Sequence, residues 1–267
     1  MSGDTILNKV LKQDRMLLLG VLGALTLISW LYLIDMAGDM ANGGGSMDRG
    51  MSGMGSAMSM TTAWSLTDGL LMFAMWWIMM IGMMVPSAAP MILTFATINR
   101  KKREREQPFV PTMTFVAGYL IAWGGFSLAA TGVQWSLQKV ALMSPMMVST
   151  SPLLGGSLFV AAGIYQWTPL KHACLKNCRS PFDFILNSWR DGRGGAFNMG
   201  LEHGLYCLGC CWLVMAILFA VGVMNLAWVG AIAAFVFLEK IVPAGEWFAR
   251  ASGGAMIAAG AYLLIAT

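Results

Sequence analysis

The chain has 267 residues, of which 57% are hydrophobic, and its 17 basic and 13 acidic side chains make up only 11% of the sequence. A soluble domain normally carries about twice that charged fraction, whereas several uncharged stretches here exceed the roughly 20 apolar residues that cross a bilayer. The composition therefore excludes an ordinary soluble enzyme and favours an all-α, polytopic transmembrane helical bundle. The net charge of +4 gives no indication of a nucleic-acid partner.

The N-terminal third is predicted to contain two different segments. Residues 1–36 form an N-terminal segment in which three basic residues precede an apolar run at 16–34. This run is too long for a signal-peptide core, so we interpret it as the first membrane-spanning helix, with its N-terminus in the cytoplasm. Residues 37–63 are rich in Met, Gly and Ser and cannot bury enough apolar surface to fold alone. They are expected to form an exterior loop.

The rest of the chain, 64–267, is predicted to form a six-helix membrane domain, which brings the total to about seven helices. Pro86 and Pro90 should kink the first helix of this domain. Basic clusters at 100–105 and between 171 and 193 place both segments in the cytoplasm by the positive-inside rule, and 182–189 is expected to lie at the interface as a short amphipathic segment. The six spans are expected near 66–98, 111–138, 153–170, 198–221, 226–238 and 247–266.

All five cysteines and both histidines fall within positions 172–211. Four of them stand at i, i+4, i+7 and i+8, a spacing that stacks them on one face of a helix. The other three lie at the cytoplasmic end of the preceding span, so two neighbouring helices would bring both groups to one membrane face. The two groups are His203, Cys207, Cys210 and Cys211, and His172, Cys174 and Cys178.

Imidazole and thiolate are preferred ligands of zinc and of soft monovalent copper. Cysteine is also among the most buried residue types and packs as a small apolar side chain, so each single cysteine has a purely structural alternative. A disulfide is disfavoured because the predicted location is reducing. We predict a metal site for copper, with zinc as the alternative, whose preferred ligands are Cys174, Cys178, Cys207 and either Cys210 or Cys211, with His172 and His203 as further candidates.

Methionine is the second soft donor in this sequence, with 24 residues. Thioether sulfur binds monovalent copper without losing a proton, and the predicted exterior loop has no core for methionine to fill. In the second span, where Met72, Met75, Met79 and Met83 share one helical face, core filling is an equal alternative. The methionines in and beside the loop are Met36, Met40, Met47, Met51, Met54, Met58 and Met60.

Ionisable residues near the predicted membrane edge are Glu202, Glu239 and Lys240. A carboxylate there could orient a ligating imidazole, but we expect the pair at 239–240 to anchor a helix end at the lipid headgroups. The sequence has no phosphate-binding loop, no His-Glu-x-x-His and no Gly-x-Ser-x-Gly, which argues against an ATP-driven pump, a zinc protease and a serine hydrolase. No catalytic residue is predicted.

Two cysteine-bearing blocks are long and specific: Tyr-Gln-Trp-Thr-Pro-Leu-Lys-His-Ala-Cys-Leu-Lys-Asn-Cys-Arg-Ser-Pro at 165–181, and His-Gly-Leu-Tyr-Cys-Leu-Gly-Cys-Cys-Trp at 203–212. Together with 76–90, 118–123 and the pair at 239–240, they resemble a family of bacterial, Cys-rich polytopic proteins described as predicted metal-binding integral membrane proteins. The resemblance spans about 64–250 and leaves out the Met-rich loop. It implies a membrane fold and metal binding but no reaction.

We therefore expect a multi-pass protein of the bacterial inner (cytoplasmic) membrane that captures monovalent copper on exterior methionines and handles or delivers it through a cytoplasmic-side Cys/His cluster. The alternative is a structural or assembly subunit of a larger membrane complex, such as a copper enzyme, with no metal of its own. Thiol redox catalysis is a third hypothesis. The expected partners are the lipid bilayer and subunits of a membrane complex, with no nucleic acid.

Overall fold

The computed structural model describes residues 2–41, 65–104, 110–140, 151–242 and 245–266, although side chains at 2–14, 40–41, 103–104 and 245–246 are outside the description. Within these residues the chain is helical and contains no strand, which confirms the predicted all-α class. Most of the predicted exterior loop lies outside the described residues. The loop methionines whose side chains fall outside are Met40, Met47, Met51, Met54, Met58 and Met60.

From α4 onward the helices follow one another with short connections. Together they form a bundle in which α3 packs against α2 and α7, α1 against α2, α4 against α10, α5 against α7, and α9 against α2. In chain order they are α1 (Ser2–Ala41), α2 (Leu66–Glu104), α3 (Thr112–Lys139), α4 (Pro152–Tyr165), α5 (Pro169–Arg179), α6 (Pro181–Ser188), α7 (Gly192–Ala216), α8 (Leu218–Val221), α9 (Leu226–Ile241) and α10 (Gly245–Ile265).

Within the residues that the structure describes, five helical stretches are long and apolar enough to cross a membrane. They are Arg15–Asp39, Leu66–Lys102, Thr112–Lys139, Gly192–Val221 and Trp247–Ile265. The predicted spans at 153–170 and 226–238 correspond to α4 and α9, which have 14 and 16 residues. At 1.5 Å per residue these helices are about 21–24 Å long, shorter than a hydrocarbon core of roughly 30 Å. The total of seven spans and the cytoplasmic N-terminus therefore stay predictions.

Two helix boundaries differ from the expected ones. The first helix continues to Ala41, so the first residues of the predicted loop are helical. The span expected at 153–170 is interrupted, because α4 ends at Tyr165 and α5 begins only at Pro169. Proline lacks a backbone donor and disfavours helical geometry in the residue before it. Thr168 then caps the new helix, its hydroxyl accepting from the Lys171 amide at 3.3 Å.

The segment expected at the interface is the short helix α6. It is amphipathic, as predicted, since Phe184 and Ile185 are buried while the polar Asp183 and Asn187 are exposed. The buried pair faces the bundle, and the apolar Phe182 and Leu186 are exposed as well. Its position at a membrane interface stays a prediction.

Close packing of α3 against α7 depends on glycines. A β-carbon added at Gly118 would lie 2.1 Å from the Phe197 carbonyl oxygen, and one at Gly200 would lie 1.9 Å from the Phe115 carbonyl oxygen. A β-carbon at Gly204 would lie 2.6 Å from the side chain of the facing alanine. These small residues allow the two backbones to approach directly, as in close helix pairs of membrane proteins. The approach brings residues of α3 against the cysteine-bearing face of α7.

An ion pair joins the two basic segments that are predicted to be cytoplasmic. Lys102 Nζ at the end of α2 lies 2.6 Å from Asp191 Oδ1, directly before α7, and 4.3 Å from the centre of the Trp189 ring. The hydrogen bond from Lys102 lowers the pKa of Asp191. An exposed pair adds little stability, but this one shows that both segments lie at the same end of the bundle, as the positive-inside rule requires. We call this the basic end.

Candidate metal centre

Four of the predicted site residues form a buried stripe along α7. His203 is 3% exposed, and Cys207, Cys210 and Cys211 are fully buried. The predicted helical spacing therefore holds, and the stripe faces the interior of the bundle. Cys210 Sγ and Cys211 Sγ each lie 3.0 Å from the Cys207 carbonyl oxygen and donate to it. These hydrogen bonds hold the three thiols close to one turn of α7.

The second group of cysteines reaches this turn from α5. The Cys178 side chain lies near those of Cys207 and Cys210 and interacts with both. Cys174 packs directly on the α7 backbone, since a β-carbon at Gly209 would lie only 2.7 Å from Cys174 Sγ. The missing side chain at Gly209 thus lets α5 lie against α7. We call these five cysteines the sulfur cluster: Cys174, Cys178, Cys207, Cys210 and Cys211.

The sulfur cluster is unevenly buried. Cys207, Cys210 and Cys211 are inaccessible, whereas Cys174 and Cys178 are only half-buried. The two cysteines of α5 are therefore the more exposed members of the cluster.

The two predicted histidines differ in position. His203 lies one turn before Cys207, and its ring is surrounded by those of Phe115, Tyr119 and Phe184, whose centres are 6.1, 5.7 and 5.5 Å away. Within the described residues its buried Nδ1 atom has no hydrogen-bond partner. An unpaired buried nitrogen is costly, and a neutral imidazole nitrogen is a common metal ligand. His203 is therefore fitted to serve as a ligand beside the cysteines.

His172 does not join them. It is half-buried in the first turn of α5, where its backbone amide donates to the Thr168 carbonyl oxygen at 3.3 Å. In the part of the chain that the structure describes, its imidazole makes no hydrogen bond to the sulfur cluster. Its predicted role as a ligand stays a prediction.

Sequence analysis missed the polar neighbours of Cys207 as site residues. Lys240 Nζ, from α9, lies 3.0 Å from Cys207 Sγ and 2.9 Å from Ser87 Oγ. Tyr119 Oη, from α3, lies 3.3 Å from the same sulfur. A buried ammonium needs an anionic or polar partner, and a cation beside a cysteine favours its thiolate form. Cys207 is therefore the sulfur whose surroundings best suit a metal-binding thiolate.

The expectation that the pair at 239–240 anchors a helix end at the headgroups is wrong. Lys240 is 9% exposed and Glu239 is fully buried. The two Glu239 carboxylate oxygens lie 2.7 and 2.8 Å from Lys171 Nζ, and Lys171 is fully buried as well. Lys171 is therefore no exposed loop charge. It forms a buried ion pair that joins α5 to α9.

The sulfur cluster lies deep in the bundle. Cys207 follows Asp191 by 16 residues and Ser87 precedes Lys102 by 15, which places both about 22–24 Å from the basic end along their helices. The predicted position at the cytoplasmic rim stays a prediction. Helix α5 packs along α7, which places Cys178 beside Cys207.

Among the residues that the structure describes, no group of three or more His, Cys, Asp or Glu side chains is arranged as metal ligands. Zinc commonly takes four ligands in a tetrahedron, whereas soft thiolates favour monovalent copper, which a pair of sulfurs can hold. The chemistry of the cluster, with sulfurs from two helices and the unpaired His203 nitrogen, fits a soft metal ion.

The methionines of the predicted stripe are core residues in α2. Met72, Met75, Met79 and Met83 are each at most 2% exposed. The stripe ends near the sulfur cluster, because the carbonyl oxygen of the next residue, Met84, accepts a hydrogen bond from Tyr119 Oη at 3.2 Å. Both interpretations of these methionines, core filling and weak copper binding, are compatible with this burial.

Comparison with protein families gives a match over most of the chain. A family model described as PpoB2, copper chaperone, matches residues 73–263. Comparison with curated proteins and with solved structures gave no match. The matched range runs from α2 to α10 and so contains the whole sulfur cluster, both histidines and Lys240, but not the Met-rich loop. A copper-related family agrees with the predicted relation to metal-binding proteins.

Proposed function

We propose that this chain, which belongs to the PpoB2 copper chaperone family, is a multi-pass membrane protein that holds monovalent copper as its cargo on the sulfur cluster. Family membership supports copper handling in general. The assignment of the cargo to these cysteines rests on the geometry of α5 and α7.

The observation that carries the proposal is the approach of Cys178 to Cys207 and Cys210. These sulfurs come from two helices and meet in the interior of the bundle, where each thiol could have been replaced by a simple apolar side chain. Thiolate sulfur favours monovalent copper over hard cations. The position of Cys178 beside two other cysteines is therefore better explained by a shared cation than by packing alone.

Charge balance supports the same assignment. A monovalent copper ion held by two thiolates carries one net negative charge, which is expensive in an apolar bundle unless it is compensated. The Lys240 ammonium lies 3.0 Å from Cys207 Sγ and supplies one positive charge. Glu239 is already paired with Lys171. Copper bound by Cys207 and one further thiolate would thus leave the site close to neutral.

The direction of transfer follows from ligand strength. Methionines of the exterior loop at 37–63 would capture copper weakly, and the thiolates of the sulfur cluster would hold it more tightly. Copper would then pass inward, or to a membrane enzyme that receives it from the cluster. The chaperone name of the family favours delivery to an acceptor protein.

The test is copper binding by the purified protein, loaded with monovalent copper without oxygen in the presence of a competing chromophoric chelator. We expect about one copper per chain in the wild type, and loss of this copper in Cys207→Ser with Cys210→Ser, because soft sulfur donors are replaced by hard oxygen. The matched control is Met199→Leu, which removes another buried sulfur of α7 that accepts from the Arg190 amide. This variant should bind copper normally.

Two results would contradict the proposal. If the cluster binds copper, the double cysteine variant loses it, so an unchanged copper content in that variant would exclude the proposed site. A wild-type protein that binds no copper removes the function. It would favour instead a structural or assembly subunit whose cysteines only pack.

A further inference from the structure

We propose that Glu239 and Lys240 are positioning residues that hold the cysteines of α5 against those of α7. This inference rests on the proposed function, since it concerns the same sulfur cluster. The two residues are consecutive on α9, so their side chains leave the helix about 100° apart and reach two different neighbours.

The first contact of the pair is the buried ion pair between Glu239 and Lys171. Both carboxylate oxygens lie within 2.8 Å of Lys171 Nζ, and the two side chains are 1% and 0% exposed. Lys171 precedes Cys174 by three residues and Cys178 by seven, so all three share one face of α5. The ion pair therefore fixes the face of α5 that carries its sulfurs.

The second contact is made by Lys240. Its ammonium donates to Cys207 Sγ on α7 at 3.0 Å and to Ser87 Oγ on α2 at 2.9 Å. Glu239 and Lys240 thus connect α9 to two parts of the cluster. Glu239 contacts α5, which carries Cys178, and Lys240 contacts the sulfur of Cys207, which Cys178 approaches. Arg179, at the end of α5, also donates to the Val242 carbonyl oxygen just after α9. This contact places the second end of α5 against the same helix.

Helix α5 needs such contacts because it is short. It has 11 residues, and isolated helices below about 12–15 residues are marginal on their own. Its approach to α7 is set by tertiary contacts. Removing one partner of a buried ion pair leaves a buried charge uncompensated, which is far more costly than replacing both partners by apolar residues. A single substitution at Glu239 should therefore displace α5, and a double substitution should not.

The experiment measures how fast each cysteine of the full-length protein reacts with a maleimide, quantified by peptide mass spectrometry. In Glu239→Gln, Cys174 and Cys178 should react at least about tenfold faster than in the wild type, because the unpaired Lys171 pulls α5 away from the bundle. Cys210 and Cys211, which α7 holds by its own hydrogen bonds, should keep their slow rates. The matched control is Lys102→Met, which breaks the exposed ion pair at the basic end and should change none of these rates.

Rescue separates positioning from general stability. Lys171→Met combined with Glu239→Met removes both charges at similar volume and should return Cys178 to a nearly wild-type rate and restore copper affinity. If Glu239→Gln does not fold, Glu239→Asp keeps the charge with a shorter reach and should give an intermediate rate. Unchanged Cys178 reactivity in Glu239→Gln or Glu239→Asp, or a folded double variant that rescues neither readout, overturns the inference.

The readouts also separate this inference from the proposed function. Thiol reactivity does not depend on copper, so a wild-type protein that binds no copper would end the proposed function while the reactivity of Cys178 still decides the positioning role. Conversely, normal copper binding in the wild type together with unchanged reactivity in Glu239→Gln would end only the inference.

Discussion

Gly209→Ala tests the contact that allows α5 to lie on α7. The added β-carbon would lie 2.7 Å from Cys174 Sγ, while the β-carbons of the two residues would be 3.5 Å apart, an ordinary contact. To reach a normal separation of about 3.5 Å, the sulfur must move by about 0.8 Å. Such overpacking lowers the free energy of unfolding by about 1–3 kcal/mol. Replacing a helical glycine by alanine raises it by about 1 kcal/mol. The net destabilisation should be about 0–2 kcal/mol.

The functional effect should exceed this small loss of stability. Displacement of α5 moves Cys178 away from Cys207, so we expect copper affinity to fall by about tenfold, equivalent to roughly 1.4 kcal/mol, in a chelator competition assay. Gly194→Ala is the matched control, because it lies on the same helix and an added β-carbon there meets nothing within 4 Å. It should bind copper normally and be slightly more stable.

A second substitution identifies the cause. Gly209→Ala combined with Cys174→Ala removes the clashing sulfur and should recover the copper affinity of Cys174→Ala alone. The reasoning is refuted if Gly209→Ala behaves like Gly194→Ala in both copper affinity and thermal unfolding. It is refuted as well if removing the Cys174 sulfur gives no recovery.

Two further predictions concern α7 and its neighbours. Gly200→Ala places a β-carbon 1.9 Å from the backbone oxygen of Phe115, and no rotamer change relieves this clash. The free energy of unfolding should therefore fall by more than about 3 kcal/mol, and the melting temperature should be clearly lower. A wild-type melting temperature would contradict the close packing of α3 against α7. Lys240→Met removes the ammonium beside Cys207 and should weaken copper binding by about tenfold or more. The circular dichroism spectrum should stay unchanged. Unaltered copper affinity would show that Lys240 does not balance the charge of the site.

Local patterns predicted the arrangement of part of the candidate site. The stripe from His203 to Cys211 follows from the helical period alone, because residues at i, i+4, i+7 and i+8 share a face whatever the rest of the chain does. The convergence of the two cysteine groups could also be anticipated, since a short connection keeps consecutive helices adjacent. These features depend only on near neighbours in the sequence.

The contacts of Lys240 could not be predicted in the same way. It lies 33 residues from Cys207 and 153 from Ser87 along the chain, so only the packing of α9 against α7 and α2 brings them together. A Glu-Lys pair next to an apolar run resembles a headgroup anchor. The sequence contains no local signal that distinguishes this from a buried pair.

The break between α4 and α5 did leave a local signal. Thr168 followed by Pro169 is a typical helix start, with a capping hydroxyl before a proline in the first turn. The predicted span extended past this helix start because the apolar run continues to Leu170. Greater weight on this start signal would have placed Lys171 in a separate helix and opened the question of its partner.

X-ray absorption at the copper edge tests the central claim most directly, because it identifies the atoms bound to the cargo in the loaded protein. The account predicts monovalent copper with thiolate sulfur as its main neighbours, and the loss of one sulfur neighbour in Cys178→Ser and in Cys207→Ser separately. Copper surrounded by oxygen or nitrogen alone, or a sulfur environment that neither substitution changes, would contradict it.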